Sequence, residues 1–426
     1  MKTLVTAYAS REPGRGRDKV SLGTSKITVS PAPRRAMLWM MIIGPGVLGL
    51  IADNDAGGMI SYLVTGAAHH LAWFALGLIG MGPITFMIQE VSLRIAIATQ
   101  MPYNRVVRIK FGSRWTVVNG TLVHLLNGLT LVTEFLGMTS ALNLVGIPWW
   151  AGLLISYAMV LAFTTNRDYL NLERLLLLMA VFNLVFIPVP FLMHPTWQTW
   201  HTAWGGHFTP SVLFLLLSLA GNAIAPWMIY WQENAAWAGN ITSLAAGRKD
   251  LSLGIVAQIV MGSIVMLIGG LTTGSTRAAA LNPLVWLLDT TGKLPGGLFA
   301  LGIFDAGFLA ACTVSLSSAW MLSNALHDTS PLSTVLPTRG RYRRIHVLTI
   351  TGAALGALWR PLPIGYVTLW IQALGALWMP VNIVMLIVIA RDSHLMGSLM
   401  IERGKLCALI GVTVLFLFLA IVSWIS

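Results

Sequence analysis

Two aspartates, Asp53 and Asp55, and a glycine pair, Gly57-Gly58, interrupt an apolar stretch long enough to cross a bilayer. Leu38 to Leu50 is almost wholly apolar, and Met59 to Ala68 is apolar more loosely. A carboxylate at mid-membrane depth is costly and seldom sits there without a function. Glycines beside it release backbone carbonyls that an intact helix would use internally. Carboxylate and freed carbonyl oxygens together suit a hard cation. Asp55 is the first candidate ligand, directly or through water. The plainer alternative is a carboxylate that pairs with an arginine or caps the second half-helix. Asp53, two residues earlier, points elsewhere if the segment is extended, and would line the cavity or orient the ligands.

A second interruption is Gly221-Asn222-Ala223-Ile224-Ala225-Pro226-Trp227. Pro226 cannot donate a backbone hydrogen bond, and Gly221 and Asn222 are poor helix formers. Asn222 offers a side-chain oxygen or a helix cap; Ala225 offers only a carbonyl or space. Gln372 would supply an amide oxygen or an ordinary interhelical hydrogen bond. Glu134 would line the ion path or serve as a proton relay, with His124 about three turns away on the same helix. Gln232 and Glu233 would line an aqueous route. Glu90 and Arg94 form an i,i+4 pair and read as a structural lock. The histidines His69, His70, His194, His201 and His207 are scattered among Trp and Pro rather than clustered as a zinc site requires.

The elements that position these groups are membrane spans. Of the 426 residues 56% are hydrophobic and only 10% charged, where a soluble domain carries about 25% charged residues. The +12 net charge is therefore a topology signal and not a nucleic-acid signal. Cys312 and Cys407 lie in apolar stretches and read as small core residues. Spans are expected near 38–66, 70–99, 115–145, 147–165, 173–193, 210–239, 252–274, 297–325, 345–360, 364–390 and 404–425. Residues 1–36 are expected to be a disordered basic cytoplasmic tail, without the apolar core of a signal peptide.

Basic residues follow the even-numbered spans: Arg105, Arg108, Lys110 and Arg114 after span two, Arg167 and Arg174 after span four, Arg248 and Lys249 after span six, Arg339, Arg341, Arg343 and Arg344 after span eight, and Arg391, Arg403 and Lys405 after span ten. The loop 194–209 has three histidines, three tryptophans and no Lys or Arg. The positive-inside rule then puts the N-terminus in the cytoplasm and the C-terminus outside, in an inner (plasma) membrane. Two interrupted spans, the first and the sixth, point to two inverted five-helix repeats with the site between them. The expected organisation is a transmembrane domain over 37–426, with repeat one about 38–193, repeat two about 210–390 and an extra helix about 404–425.

At these residues the chain resembles the Nramp divalent-metal transporters, and more closely their divergent bacterial relatives that include the Nramp-related magnesium transporters. The resemblance runs from about Gly44 to Gly397. It includes Gly44-Pro45-Gly46, then Asp55-Ala56-Gly57-Gly58 where the family has Asp-Pro-Gly-Asn. Gln89-Glu90 with Arg94, Thr133-Glu134-Phe135 and Leu172-Glu173-Arg174 continue it. Pro226-Trp227-Met228, Trp231-Gln232, Gln372 before Pro380, and Leu395-Met396-Gly397 complete it. The resemblance implies an all-α, LeuT-like bundle of about eleven helices. It also implies a metal site of Asp55, Gly58, Asn222, Ala225 and Gln372, with Asp53, Glu134, Trp227 and Gln232 along the ion path or orienting the ligands.

Three departures from the family pattern shape the expected chemistry. Ala225 replaces the methionine whose thioether contacts the metal, and a site without sulfur suits Mg2+ or Mn2+. Met228 stands one residue beyond Trp227, and a register shift to it would displace the ligand around the helix. Gly58 replaces an asparagine, which removes one oxygen and leaves room for a partly hydrated ion. Trp227 replaces the histidine linked to proton coupling, so coupling in the usual Nramp way is not expected.

The expectation is a divalent-cation transporter for Mg2+ or Mn2+ working by alternating access. It would have no cofactor, the bilayer and the metal ion as its partners, no nucleic acid and no obligate protein partner. The alternative is a sodium- or proton-coupled organic-solute symporter on the same fold. An enzyme is not expected, since no nucleophile array or phosphate loop stands out.

Overall fold

The computed structural model describes residues 52–165, 176, 178–206, 208–238, 243–326, 340–359 and 362–425. The N-terminal tail, the first half of span one with Gly44-Pro45-Gly46, and Leu172-Glu173-Arg174 lie outside the described residues. Those described are almost entirely helical, and no strand occurs among them.

The second half of span one is α1, Ala56–Gly66. It is followed by α2 (Leu71–Thr99), a short basic helix α3 (Tyr103–Phe111), α4 (Ser113–Leu144) and α5 (Trp149–Thr165). The outer loop expected at 194–209 contains α6, Trp197–Trp204. Span six is two helices, α7 (Pro210–Ala223) and α8 (Pro226–Ala238). Then come α9 (Leu244–Leu271), two short helices α10 (Thr276–Leu281) and α11 (Pro283–Thr291), α12 (Lys293–Ala325), α13 (Arg341–Gly356), α14 (Ile364–Ala390) and α15 (Arg403–Ile425). Among the described residues seven helices are long and apolar enough to cross a membrane, or eight if one bent pair counts as a span. The spans held by α1, α5 and α13 fall short of that length as described.

Three features differ from expectation. Span seven begins at Leu244 rather than 252, because Ser243 caps the helix by accepting the Ala246 N–H at 3.3 Å. Span five is irregular: a 3-10 turn, Val181–Phe186, leads past Pro188 and Pro190, and Leu178–Leu192 meets Trp197–Trp204 at a 116° bend. Proline inside a helix removes a hydrogen bond and crowds the preceding turn. Cys312 is buried as expected, but Cys407 is exposed, because it sits on α15, which leaves one face uncovered.

Helices approach closely where glycines allow it. A Cβ on Gly66 would lie 1.9 Å from the Met266 carbonyl oxygen, and one on Gly269 would lie 2.0 Å from that of Leu63. Span one and span seven therefore touch backbone to backbone, which fits the small-residue packing of membrane helices.

On the basic-loop side the buried Glu90 carboxylate accepts from Arg94 at 2.7 Å, Arg248 at 2.6 Å and Lys405 at 2.5 Å. The expected Glu90–Arg94 pair is thus one part of a cage fastening spans two, seven and eleven. A buried carboxylate is tolerated when its oxygens are fully engaged. Beside it Lys110 meets Asp392 at 2.7 Å, and this contact holds the Asp392 carboxyl below its usual range.

Gly66→Leu and Gly269→Leu are each expected to lower stability by about 1–3 kcal/mol or more, because the atom in the way is backbone. Gly352→Leu, with nothing within 4 Å of the added Cβ, should be neutral. Thermal unfolding of the detergent-purified protein checks this.

Candidate metal centre

The N-terminus of α1 begins at Asp55, in extended backbone at φ −72° and ψ 169°. Its carboxylate accepts the Gly58 N–H and caps the helix. Glu134, from the middle of α4, reaches the same turn. Its Oε2 accepts the Ala56 N–H at 2.8 Å and its Oε1 accepts the Gly57 N–H at 3.4 Å. The Thr133 hydroxyl lies 3.2 Å from that Oε1. Both carboxylates are buried. They share the positive end of one half-helix dipole, where anionic groups are stabilised. Glu134 therefore sits at the break itself. His124 is not part of this group: its ring nitrogens face Ser318 at 2.7 Å and Thr349 at 3.3 Å.

The break in span six falls where the sequence places it. Helix α7 ends at Ala223, Ile224 is extended at φ −153° and ψ 110°, and Pro226 opens α8, a position proline favours. Asn222 faces span one. Its Nδ2 donates to the Gly58 carbonyl at 3.1 Å, and its buried Oδ1 has no partner among the described residues. A Cβ on Gly58 would lie 2.0 Å from Asn222 Oδ1 and 2.9 Å from Asp55 Oδ1. The side-chain space expected to widen the cavity is thus filled by Asn222. Two oxygens from different spans converge there, one of them an unsatisfied amide oxygen, and buried acceptors are seldom left so without a ligand or water.

Ala225 is half-buried, and its N–H donates to Met228 Sδ at 3.4 Å. A thioether therefore stands beside the break, engaged by the backbone. Gln372 on α14 is buried. Its carbonyl is pressed against Gly221, where a Cβ would lie 1.9 Å from it. Trp227 is buried against Trp231, with ring centroids 6.4 Å apart. Trp227 Nε1 and Gln232 Nε2 have no partner among the described residues.

Asp53 turns to the back of this arrangement. Its Oδ2 accepts from Gln258 Nε2 at 2.6 Å, and the same amide donates to the Ala223 carbonyl at 3.0 Å. Asn54 Nδ2 donates to the Gln258 carbonyl at 3.0 Å. Gln258 thus ties the two breaks together from span seven. Its only signal in the sequence is a lone amide inside an apolar run.

Asp55, Gly58, Asn222 and Glu134 are brought together. Asp53 stands behind them, Ala225 and Gln372 adjoin the span-six break, and Trp227 and Gln232 lie further along α8. Among the described residues no three or more His, Cys, Asp or Glu side chains gather as a metal cluster, so any ion here would depend on amide and backbone oxygens as well. Such donors suit hard cations.

The sequence profile of the Nramp family, described as natural resistance-associated macrophage protein-like, matches residues 46–426. The chain belongs to the Nramp family. A search of curated proteins by sequence gave no match. Among solved structures, this Nramp chain is similar to a manganese transporter of Eremococcus coleocola, at 17% identity and TM-score 0.69, covering 95% of this chain and 90% of that one. It is also similar to Mhp1, a nucleobase-cation-symport-1 family transporter, at 14% identity and TM-score 0.58, covering 90% of each chain. A Na+-coupled sialic acid symporter follows at 11% identity and TM-score 0.55, covering 89% of this chain and 88% of that one. These neighbours share the LeuT-like inverted-repeat fold expected from the two broken spans.

Gln258→Leu is expected to leave Asp53 without its amide donor and to lower stability by about 1–3 kcal/mol. Thermal unfolding measures it; a melting temperature equal to wild type would show that the tie between the two breaks carries no energy.

Proposed function

We propose that this Nramp-family protein is a divalent-cation transporter of the plasma membrane. It carries Mg2+ or Mn2+ by alternating access between repeats at about 38–193 and 210–390. The observation that carries the reading is the occupied N-terminus of α1. Its first N–H groups are already held by the Asp55 and Glu134 carboxylates. A substrate anion would need those same donors, and would meet two carboxylates on arrival. A cation meets the Asp55 carboxylate, the free Asn222 Oδ1 and the negative C-terminal end of α7. The Eremococcus neighbour, titled a manganese transporter, supports the same substrate class. The Na+-coupled symporter neighbour keeps the organic-solute alternative in the test.

Ala225 and Gly58 favour Mg2+ or Mn2+ over softer ions, because the donors that converge are oxygens. The Trp227 indole neither gains nor loses a proton at physiological pH and so cannot relay one. Glu134 is engaged by the α1 backbone, so metal flux is proposed to run without obligatory proton flux.

Uptake of Mg2+, Mn2+, Ca2+ and Cd2+ into proteoliposomes with internal pH monitored tests the proposal. Asp55→Asn keeps the shape, removes the charge, and should cut uptake about a hundredfold or more, a loss near 2.7 kcal/mol. Uptake near wild type would refute the site, and uptake of an organic solute without metal would favour the alternative. Metal-driven acidification that disappears in Glu134→Gln would assign proton coupling to Glu134.

Ala225→Met should place a second thioether at the break. Calorimetric titration should then show Cd2+ gaining on Mg2+ by about 1 kcal/mol, roughly fivefold. If wild type already binds Cd2+ tightly and excludes Mg2+, Met228 reaches the ion and the all-oxygen reading fails.

A further inference from the structure

Eight residues past the span-six break, about 12 Å along α8 at 1.5 Å per residue, stands Glu233. It is 0% exposed, and neither carboxylate oxygen has a hydrogen-bond partner among the described residues. Tyr103, at the start of α3, is its neighbour. The Tyr103 N–H faces the Glu233 carboxylate as well as Asn234 Oδ1, to which it donates at 3.2 Å. The Tyr103 ring packs edge-on against Tyr230 with centroids 5.0 Å apart, so α3 closes over this part of α8. Helix α2 seals the other side, where Ser92 Oγ donates to the Ile229 carbonyl at 2.8 Å.

Three further side chains around this closure carry buried polar atoms without partners: Tyr103 Oη, Asn104 Oδ1 and Gln232 Nε2. With the two Glu233 oxygens, all but Gln232 Nε2 can accept. A native interior leaves few buried polar groups unsatisfied, and each demands an explanation. A buried carboxylate whose oxygens are left without a hydrogen-bond partner is what a cation would satisfy. Two basic side chains of α3 are turned elsewhere: Arg108 donates to the carbonyls of Asn324 and Ala325, and Lys110 pairs with Asp392.

We propose that Glu233 is a second cation station on the transport route, where a hydrated divalent ion stops between the Asp55–Asn222 site and the aqueous space on the basic-loop side. The inference rests on the metal-transport reading above. In the arrangement described, α3 and α8 shut this station. Their separation would admit the ion with its waters, which Mg2+ gives up reluctantly. A plain capping role at the N-terminus of α3 would need only an acceptor oxygen, and glutamine would serve it as well as glutamate.

The test uses the full-length protein in proteoliposomes with Mn2+ and Mg2+. Glu233→Gln should leave the equilibrium Kd of the first site within about twofold by calorimetry, while the maximal uptake rate falls about tenfold or more. Glu233→Asp should recover much of that rate. If wild type transports metal and Glu233→Gln does so within about twofold, this inference fails alone. If wild type transports no metal, the reading beneath it fails first. Should Glu233→Gln not fold, Glu233→Cys in a Cys407→Ser background decides. A membrane-impermeant thiol reagent applied on the basic-loop side should label Cys at 233, and saturating Mn2+ should slow the labelling. Labelling indifferent to Mn2+, or none, overturns the proposal.

Discussion

Everything around the two breaks depends on satisfying backbone groups where no water is at hand. An interrupted helix inside a bilayer exposes N–H and C=O groups, each costly if left alone. At the start of α1 the donors go to Asp55 and Glu134, so an acid on span three becomes part of span one's helix end. At the end of α7 the Ala223 carbonyl accepts from Thr85 at 3.1 Å and from Gln258 at 3.0 Å. Spans two, three and seven are thus bound to the two breaks by the same need. The carboxylates that serve the backbone are also the charges a cation would meet.

Away from the centre two other devices set which parts move together. Glycine contacts between α1 and α9 bring backbones so near that neither helix can slide without clash. On the basic-loop side one buried carboxylate, Glu90, is held by cations from spans two, seven and eleven. Removing one partner of such a group would strand the others, and breaking a buried pair costs more than the pair contributes. The contrast with Glu233 is informative. Both carboxylates are fully buried, yet Glu90 is held by three cations while the Glu233 oxygens have no hydrogen-bond partner among the described residues.

The membrane class, the order of spans and both breaks were legible because they are local. Apolar length marks a span, and Gly221, Asn222 and Pro226 mark an interruption wherever they fall. The partners of the site were not legible, because they meet only in three dimensions. Nothing in the chain near Glu134 says that it ends a helix 77 residues away from Gly57, and Gln258 is one amide in an apolar run. The irregularity of span five did have a local signal, Pro188 and Pro190, but apolar length alone overrode it. Helices that are apolar on every side give no facing pattern to read.

Gly58 shows how a substitution read on one helix is answered on another. Taken alone, it removes an amide oxygen and leaves a gap. In the fold, the Asn222 Oδ1 lies 2.0 Å from where a Cβ at position 58 would stand. A side chain at 58 and the observed rotamer of Asn222 are mutually exclusive. An amide oxygen absent from span one is therefore supplied from span six, and it arrives with its own N–H group donated to the Gly58 carbonyl. That bond orients Oδ1 beside the Asp55 carboxylate and joins the two broken spans across the break. An ion drawn to those two oxygens would bind both spans at once, which is the differential contact that a carrier needs if its cargo is to bias one arrangement over another.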